Sequence, residues 1–557
     1  MTSLKLLLAL FLALIVTSCQ DKQEGATAEN AKLNFVIIYT DELQFSDLGC
    51  YGGDLPTPHI DKLAKEGILF RSAYTTASMC TPSRYSVITG QFPGRCSTKS
   101  FIESNPLDEP YNIAWNSWVT RDKQTLPRIL SKNGYVTGMS GKWHIGEVPE
   151  GVEVPRFQPD ESLDDPEVDR KLREQQAVFK SIVKEAGGFT DANSVVWTNN
   201  DSHDLKALGF HNFPWMAKGA LEFLDNQEGK DTPFLLYLAP TAIHGPNHRD
   251  DLDRDVTYTP GGRDESVQQY RMDVKSLIEE IEGGEGIDKH RYAGIAQTDY
   301  LVGQVRTKLK EINRAENTAI IFMADHNIEP GKATSYEKGV HVPLVVCWPG
   351  MASGKECKSL VQNTDLYPTI LEAAGIQLPE EYPLDGVSML PLLNDPEQIT
   401  RQWIFTENGY TRSVMDGRYK YIALRYPGSL IEKMKNGTMD HVPSYVKVWP
   451  QAHSAIAMQF FPGYFDQEQL YDLEADPYEQ NNIYRDMADS EVVKEMKQAL
   501  AGHLATFRHP FPLEPDPFME SIAYRILTGK NRDFDIYSIP WLSRDHGEMV
   551  WPPPDAE

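Results

Sequence analysis

Positive charge is what this chain is short of. Its 557 residues carry 54 Lys and Arg against 80 Asp and Glu, a formal net charge of −26. A nucleic-acid-binding domain normally presents a basic face, so no nucleic-acid partner is expected. The same imbalance repels an anionic ligand at long range, an effect that salt screens beyond about 8 Å at physiological ionic strength. A site for an anion must therefore bring its own cluster of cations. Cysteine is scarce too. There are six, at 19, 50, 80, 96, 347 and 357, and no two stand as C-x-x-C, which argues against a zinc knuckle or a thioredoxin-like redox pair. Cys347 and Cys357 could close a short loop, and Cys80 could bridge to Cys96. Internal repeats and coiled-coil heptads are absent as well.

What is present divides the chain. Lys5 precedes LLLALFLALIV, Leu6 to Val16, too short for a spanning helix and suited to the apolar region of a signal peptide. The run ends Val16-Thr17-Ser18-Cys19. Small residues before a cysteine resemble the lipobox of bacterial lipoproteins, whose cysteine is lipidated; the alternative is a plain secretory signal. The expected organisation is a signal peptide at 1–19, a polar tether at 20–32, a catalytic domain at 33–398, an α+β subdomain at 399–510 and a tail at 511–557 rich in proline and aromatics. The expected location is a bacterial cell envelope, facing the periplasm or the cell surface, with the membrane reached through the Cys19 lipid.

Four segments share one grammar, an apolar run with polar groups at its end. LNFVIIY leads to Asp41 and Glu42, YVTGMS to Lys142 and His144, PFLLYLAP to His244, and AIIFMA to Asp325 and His326. Aliphatic runs of this length fit strands buried on both faces. Helical patterns such as DKLAKEGI and TLPRILSKNG lie between them, so the alternation predicts an α/β sheet, mostly parallel, flanked by helices. In such sheets ligands sit beyond the carboxyl ends of the strands. Asp165-Pro166 predicts a helix start, with Val168, Leu172, Phe179 and Ile182 as its apolar stripe and Gly187-Gly188 as its stop. After about residue 400, WIFTENGYTRSVMDGRYKYIALRY alternates and turns at Asp416-Gly417 as a hairpin does. A helical run from Ser490 to Arg508 follows. The aromatic tail and the stretch near 150–205, read as an insertion, are expected places for sugar contacts.

The stretch CTPSRYSVITG, Cys80 to Gly90, matches every fixed position of the type I sulfatase signature: Cys-x-Pro-Ser-Arg, four residues, Thr-Gly. Ordered blocks extend the resemblance over roughly residues 33 to 480: NFVIIYTDELQFSDLGCYGG, GKWHIG, AIHGP, FMADHNIEPGKATSYEKGVHVPL and LYDLEADPYEQNN. The resemblance implies an alkaline-phosphatase-like fold and a hydrolase of sulfate esters. It implies that a maturation enzyme oxidises Cys80 to Cα-formylglycine. A hydrated aldehyde carries two hydroxyls, one to attack sulfur and one to collapse and expel sulfate. Asp41, Glu42, Cys80, Asp325 and His326 would then surround one divalent metal, Ca2+ with Mg2+ as the alternative. Arg84 would orient the hydrate, Lys142 and Lys332 would contact sulfate, His144 would assist the collapse and His244 would protonate the departing alcohol. Two positions depart from the family pattern: Glu42 where Asp is usual, and His326 where Asn is usual. His341 stands where Arg is frequent, and His203, His211 and His248 have no motif support. A sulfated glycan is the expected substrate. A phosphate or phosphonate ester hydrolase on the same scaffold and a non-catalytic glycan-binding lipoprotein are the alternatives.

Overall fold

Five of the chain's strands run side by side in one direction, and their carboxyl ends meet along one rim. The computed structural model describes residues 32–246, 248–274, 289–328, 330–379, 381–436, 457 and 460–519. The expected signal peptide, Cys19 and most of the expected tether and tail therefore lie outside the described residues. The main sheet contains β1 (Asn34–Thr40), β2 (Ile68–Phe70), β3 (Val136–Lys142), β4 (Asp191–Val196), β5 (Phe234–Ala239), β6 (Thr318–Ala324), β7 (Leu344–Cys347) and β8 (Lys355–Cys357), in the order β8-β2-β7-β6-β1-β5-β3-β4. The run β6-β1-β5-β3-β4 is parallel throughout. β7 is antiparallel to both of its neighbours.

Every residue of β1, β5 and β6 is buried. That is what continuous aliphatic runs require when helices cover both faces of a sheet. The crossover helix α1 (Pro58–Glu66) packs against α4 (Lys289–Glu311), while α2 (Pro166–Gly187) and α3 (Phe213–Asp225) cover β4. α2 starts as the sequence predicts: Asp165 accepts a hydrogen bond from the Glu167 N–H, Pro166 fills the first position and Gly188 closes the helix at φ 80°. The stretch near 150–205 is not an insertion, however. It supplies α2 and the edge strand β4, and so is integral to the sheet.

The smaller sheet is a four-stranded antiparallel meander: β9 (Ile404–Asn408), β10 (Thr411–Met415), β11 (Tyr419–Leu424) and β12 (Glu468–Asp472). The expected turn at Asp416-Gly417 joins β10 to β11, and a second turn at Gly409-Tyr410 joins β9 to β10. Helix α5 (Glu491–Leu504) lays Val493, Met496, Leu500 and Leu504 on Val414, Tyr421 and Leu470 of this sheet. The spacing is that of one helical face. All five described cysteines are thiols; the Cys80–Cys96 and Cys347–Cys357 bridges are not formed. No helix among the described residues is long and apolar enough to cross a membrane.

Candidate active site

Cys80 opens a ten-residue helix, Cys80–Thr89, whose every residue is buried. Pro82 falls in the first turn, where a missing N–H leaves no bond unmade. The first helical bond runs from the Ser83 N–H to the Met79 carbonyl, and Gly90 at φ 66° ends the helix. The Ser83 hydroxyl lies 2.7 Å from the Tyr39 hydroxyl, 2.8 Å from Thr75 Oγ1 and 2.5 Å from the Asp325 carbonyl. This serine therefore ties the helix start to the ends of β1 and β6.

Around Cys80 Sγ the sheet rim delivers three further groups. Asp41 Oδ1 lies 3.5 Å away and His326 Nε2 3.2 Å away. His326 Nε2 is in turn 3.5 Å from Asp325 Oδ1 and 3.8 Å from Asp41 Oδ1. All four residues are buried, with their ligand atoms within 4.8 Å of one another. His326 Nδ1 sits 2.7 Å from the Asn327 carbonyl, which can only accept, so Nδ1 carries the proton and the Nε2 lone pair points into the cluster. Two carboxylate oxygens and one imidazole nitrogen thus converge, a donor set that fits one divalent cation.

The other carboxylate oxygens face cations. Arg84 donates to Asp325 Oδ2 at 2.8 Å and stands 3.7 Å from Asp41 Oδ2. Lys142 donates to the same Asp41 oxygen and to the Asn199 side chain. Burial opposes the ionisation of Asp41, but Lys142, His244 and Arg84 outweigh it and hold that carboxyl well below the usual range. Burial and then the neighbouring Asp41 charge push Asp325 up instead. Two carboxylates sharing a dry site cannot both ionise at their ordinary pKa, and a bound cation relieves that conflict. Burial, with Asp41 beside it, also raises the Cys80 thiol.

His144 follows β3 with φ 54°. Its N–H donates to the Trp197 carbonyl at 3.0 Å, and its own carbonyl accepts from Thr81 Oγ1 at 2.9 Å. Its buried Nδ1 has no hydrogen-bond partner among the described residues. Burial first, then Lys142, hold the imidazole well below its ordinary pKa, so it is neutral. His244 Nδ1 lies 3.0 Å from the Gly245 carbonyl, and its Nε2 stands 3.6 Å from Glu42 Oε1.

Glu42 departs from the expected ligand set. At φ 56° its backbone turns left-handed, and its N–H donates to Asp325 Oδ1 at 3.3 Å. The side chain reaches past the cluster to form an ion pair with Lys332. The carboxylate therefore serves Lys332 and His244, and the longer arm of glutamate is the reason. Lys332 is itself buried, and burial lowers it to about 8. His341 lies outside the cluster, stacked on Tyr74 with ring centroids 4.6 Å apart and paired with Glu337 at 3.3 Å. Asn199 was not legible as a site residue. The signal was there, since SVVWTNN follows the same grammar of an apolar run with polar groups at its end.

Comparison with known proteins finds relatives over most of the chain. The Sulfatase family model matches residues 33–376, and the model of the C-terminal part of N-sulphoglucosamine sulphohydrolase matches residues 331–422. The N-acetylgalactosamine-6-O-sulfatase of Bacteroides thetaiotaomicron is 24% identical over 573 aligned positions, covering 87% of this chain and 96% of the relative. Arylsulfatase A of Homo sapiens is 27% identical over 496, covering 84% and 86%. The solved structure of BT4656 in complex with its substrate D-glucosamine-2-N,6-O-disulfate matches with a TM-score of 0.55 at 19% identity, over 87% of this chain and 100% of that one. Ps i-CgsB in complex with k-i-k-neocarrahexaose matches with a TM-score of 0.54 at 20% identity, over 90% and 99%. These structural likenesses establish the alkaline-phosphatase-like fold. Because the family match spans more than half of its length, the chain belongs to the sulfatase family, the type I hydrolases of sulfuric esters in the alkaline-phosphatase superfamily.

Proposed function

We propose that this chain removes sulfate from a sulfated polysaccharide or oligosaccharide, with Cys80 converted to formylglycine by a maturation enzyme. One divalent cation, Ca2+ with Mg2+ as the alternative, would be held by Asp41, Asp325 and His326 next to that residue. The observation that carries the reading is the placement of Cys80 at a helix N-terminus, inside a metal-type cluster and close to the buried cations Lys142 and Arg84. The family generally uses a cysteine-derived formylglycine and a divalent metal. Two relatives support a glycan substrate: an N-acetylgalactosamine-6-O-sulfatase and an ulvan-active sulfatase of Formosa agariphila.

The chain's own residues then take these roles. When bound, the cation polarises a sulfate oxygen and acidifies the attacking hydroxyl, which the formylglycine hydrate supplies. Arg84 fixes both carboxylates by holding the oxygens that face away from the cluster. Lys142 and Lys332 neutralise the sulfate, meeting the need for local cations in an acidic protein. Neutral His144 accepts the proton released when the hydrate collapses. His244 donates Nδ1–H to the Gly245 carbonyl, which leaves Nε2 to carry the proton to the departing alcohol; burial first, then Lys142, lower its pKa, which makes the protonated ring a stronger acid. Exported and lipidated at Cys19, the enzyme would work at the cell envelope.

The test is a screen of defined sulfated oligosaccharides with free sulfate as readout, using protein matured in its host and peptide mass across Cys80. Sulfate release with the thiol converted is the expected result. Turnover of an aryl phosphate with no sulfate ester cleaved would point to the phosphatase alternative. An unmodified thiol without turnover would point to a binding protein. Cys19→Ala should move the protein from the membrane fraction to the soluble fraction; retention in the membrane would remove the lipid anchor from the scheme.

A further inference from the structure

We infer that His211 is a positioning residue that clasps the loop bearing His244 on both sides and so aims its Nε2 at the departing oxygen. The inference rests on the general-acid reading of His244. The loop leaves β5 at Thr241 and returns through Pro246. His211 touches both: Nδ1 lies 2.6 Å from Thr241 Oγ1, and Nε2 lies 3.2 Å from the Pro246 carbonyl. The carbonyl can only accept, so Nε2 carries the proton. Nδ1 must then accept, and it does so from the Asn200 amide at 2.7 Å and from the Thr241 hydroxyl. The ring is therefore one fixed neutral tautomer that bridges the third residue before His244 and the second after it.

The clasp stands on a rigid base. The His211 N–H donates to Asp251 Oδ2 at 2.9 Å. The next residue, Asn212, caps α3 through its side chain, which accepts from the Trp215 N–H at 3.1 Å. On its outer face the ring stacks on His248, with centroids 3.9 Å apart. His248 is backed in turn by Gly294 of α4, where a Cβ would fall 2.9 Å from its Cδ2. His211, His248 and Asp251 also have metal-type donors within 4.8 Å of one another. The two rings lie only 21° from parallel, so their lone pairs run side by side and do not converge on one ion. Both nitrogens of His211 are already committed. The cluster therefore holds a loop in place, and the loop carries the proton donor.

A double-mutant cycle tests this on the metal-loaded, formylglycine-bearing enzyme, using the sulfated oligosaccharide selected by the screen above. His211→Ala is expected to lower kcat by roughly 10- to 100-fold with KM within about twofold, a loss of proton delivery without a loss of binding. In a His244→Ala background the same change should cost almost nothing further, because His211 acts through His244. His211→Gln keeps a donor for the Pro246 carbonyl and should recover most of the activity. Thr241→Val removes only the hydroxyl and should give a weaker version of the same pattern, which covers the case of a His211→Ala protein that does not fold. Additive losses in the cycle, or an unchanged kcat in His211→Ala and Thr241→Val, would overturn the inference. Failure of the acid reading shows separately, as a His244→Ala enzyme with nearly full kcat.

Discussion

Each oxygen of Asp41 and Asp325 has its own partner: Oδ1 faces the Cys80 cluster and Oδ2 faces a cation. Removing one charge therefore disturbs two contacts. Asp325→Asn should lower metal content well below one ion per chain and reduce kcat/KM by roughly 10²-fold or more, since it strips a ligand and leaves Arg84 with a single carboxylate. Glu42 offers the contrast. Its carboxylate pairs with Lys332 and stands near His244, so Glu42→Gln should leave the metal content near that of the parent while kcat falls. Metal analysis of both proteins decides the matter, and an equal loss of metal would return Glu42 to the ligand set. The sequence could name Glu42 as part of the site but not its direction. A single left-handed φ sends the side chain towards Lys332, and no local pattern announces that turn.

At the scale of elements, β3 shows how the sheet places a side chain of the proposed site. Its register against β4 shifts between Ser140 and Gly141, where β4 carries one extra residue, Ser194 at φ 47°, a bulge beside the strand end carrying Lys142. Gly141 has φ 98°, and a Cβ there would lie 2.1 Å from the Ala239 carbonyl of β5. Gly141→Ala should therefore lower the melting temperature and cost about 10²-fold in kcat/KM, the effect of a misplacement of about 1 Å; a parent-like enzyme would show that the bulge is incidental. A second joint lies between α4 and α1. Asp299 accepts from the His59 and Ile60 N–H groups at the start of α1, and burial pushes its carboxyl up to about 7. Between about pH 4 and that value the folded chain holds a proton that the unfolded chain has released, so stability falls as pH rises through the window. Asp299→Asn keeps an acceptor and cannot titrate. Its melting temperature should gain on the parent from pH 4 to pH 7 and then level off, whereas parallel profiles would remove Asp299 as the titrating group. The strands that lead to Asp41, Lys142, His244 and Asp325 were legible because each follows the pattern of an apolar run with polar groups at its end. β4 was not, because DANSVV alternates at a sheet edge and α2 before it reads as an amphipathic addition. The clasp at His211 was invisible for a different reason: its partners lie 11 to 40 residues away and meet only through tertiary packing.

Across the whole molecule, buried polar contacts lock the smaller sheet onto the rim of the larger one. Asn408 of β9 accepts from the Ser78 N–H at 2.9 Å, two residues before Cys80, and Ser78 Oγ donates to the Thr334 carbonyl at 2.6 Å, two residues after Lys332. Lys420 of β11, fully buried, bridges Glu337 at 2.7 Å and Glu479 at 2.9 Å. The cations of the proposed anion site, Arg84, Lys142 and Lys332, are likewise buried, inside a chain whose formal net charge is −26. Those two features act over different distances. The overall field repels a polysulfated substrate from afar, and its range shrinks from about 30 Å at 0.01 M salt to about 10 Å at 0.1 M. Lys142 and Lys332 act at contact in a buried pocket, where screening is weak. For a polysulfated oligosaccharide, kcat/KM should therefore rise as salt is added up to about 0.1 M, through faster encounter. A small monosulfated ester, with one charge to repel, should respond much less. Measuring both substrates across this range separates the two effects, and a steep fall of kcat/KM with salt for the polysulfated substrate would instead require a basic track leading to the site.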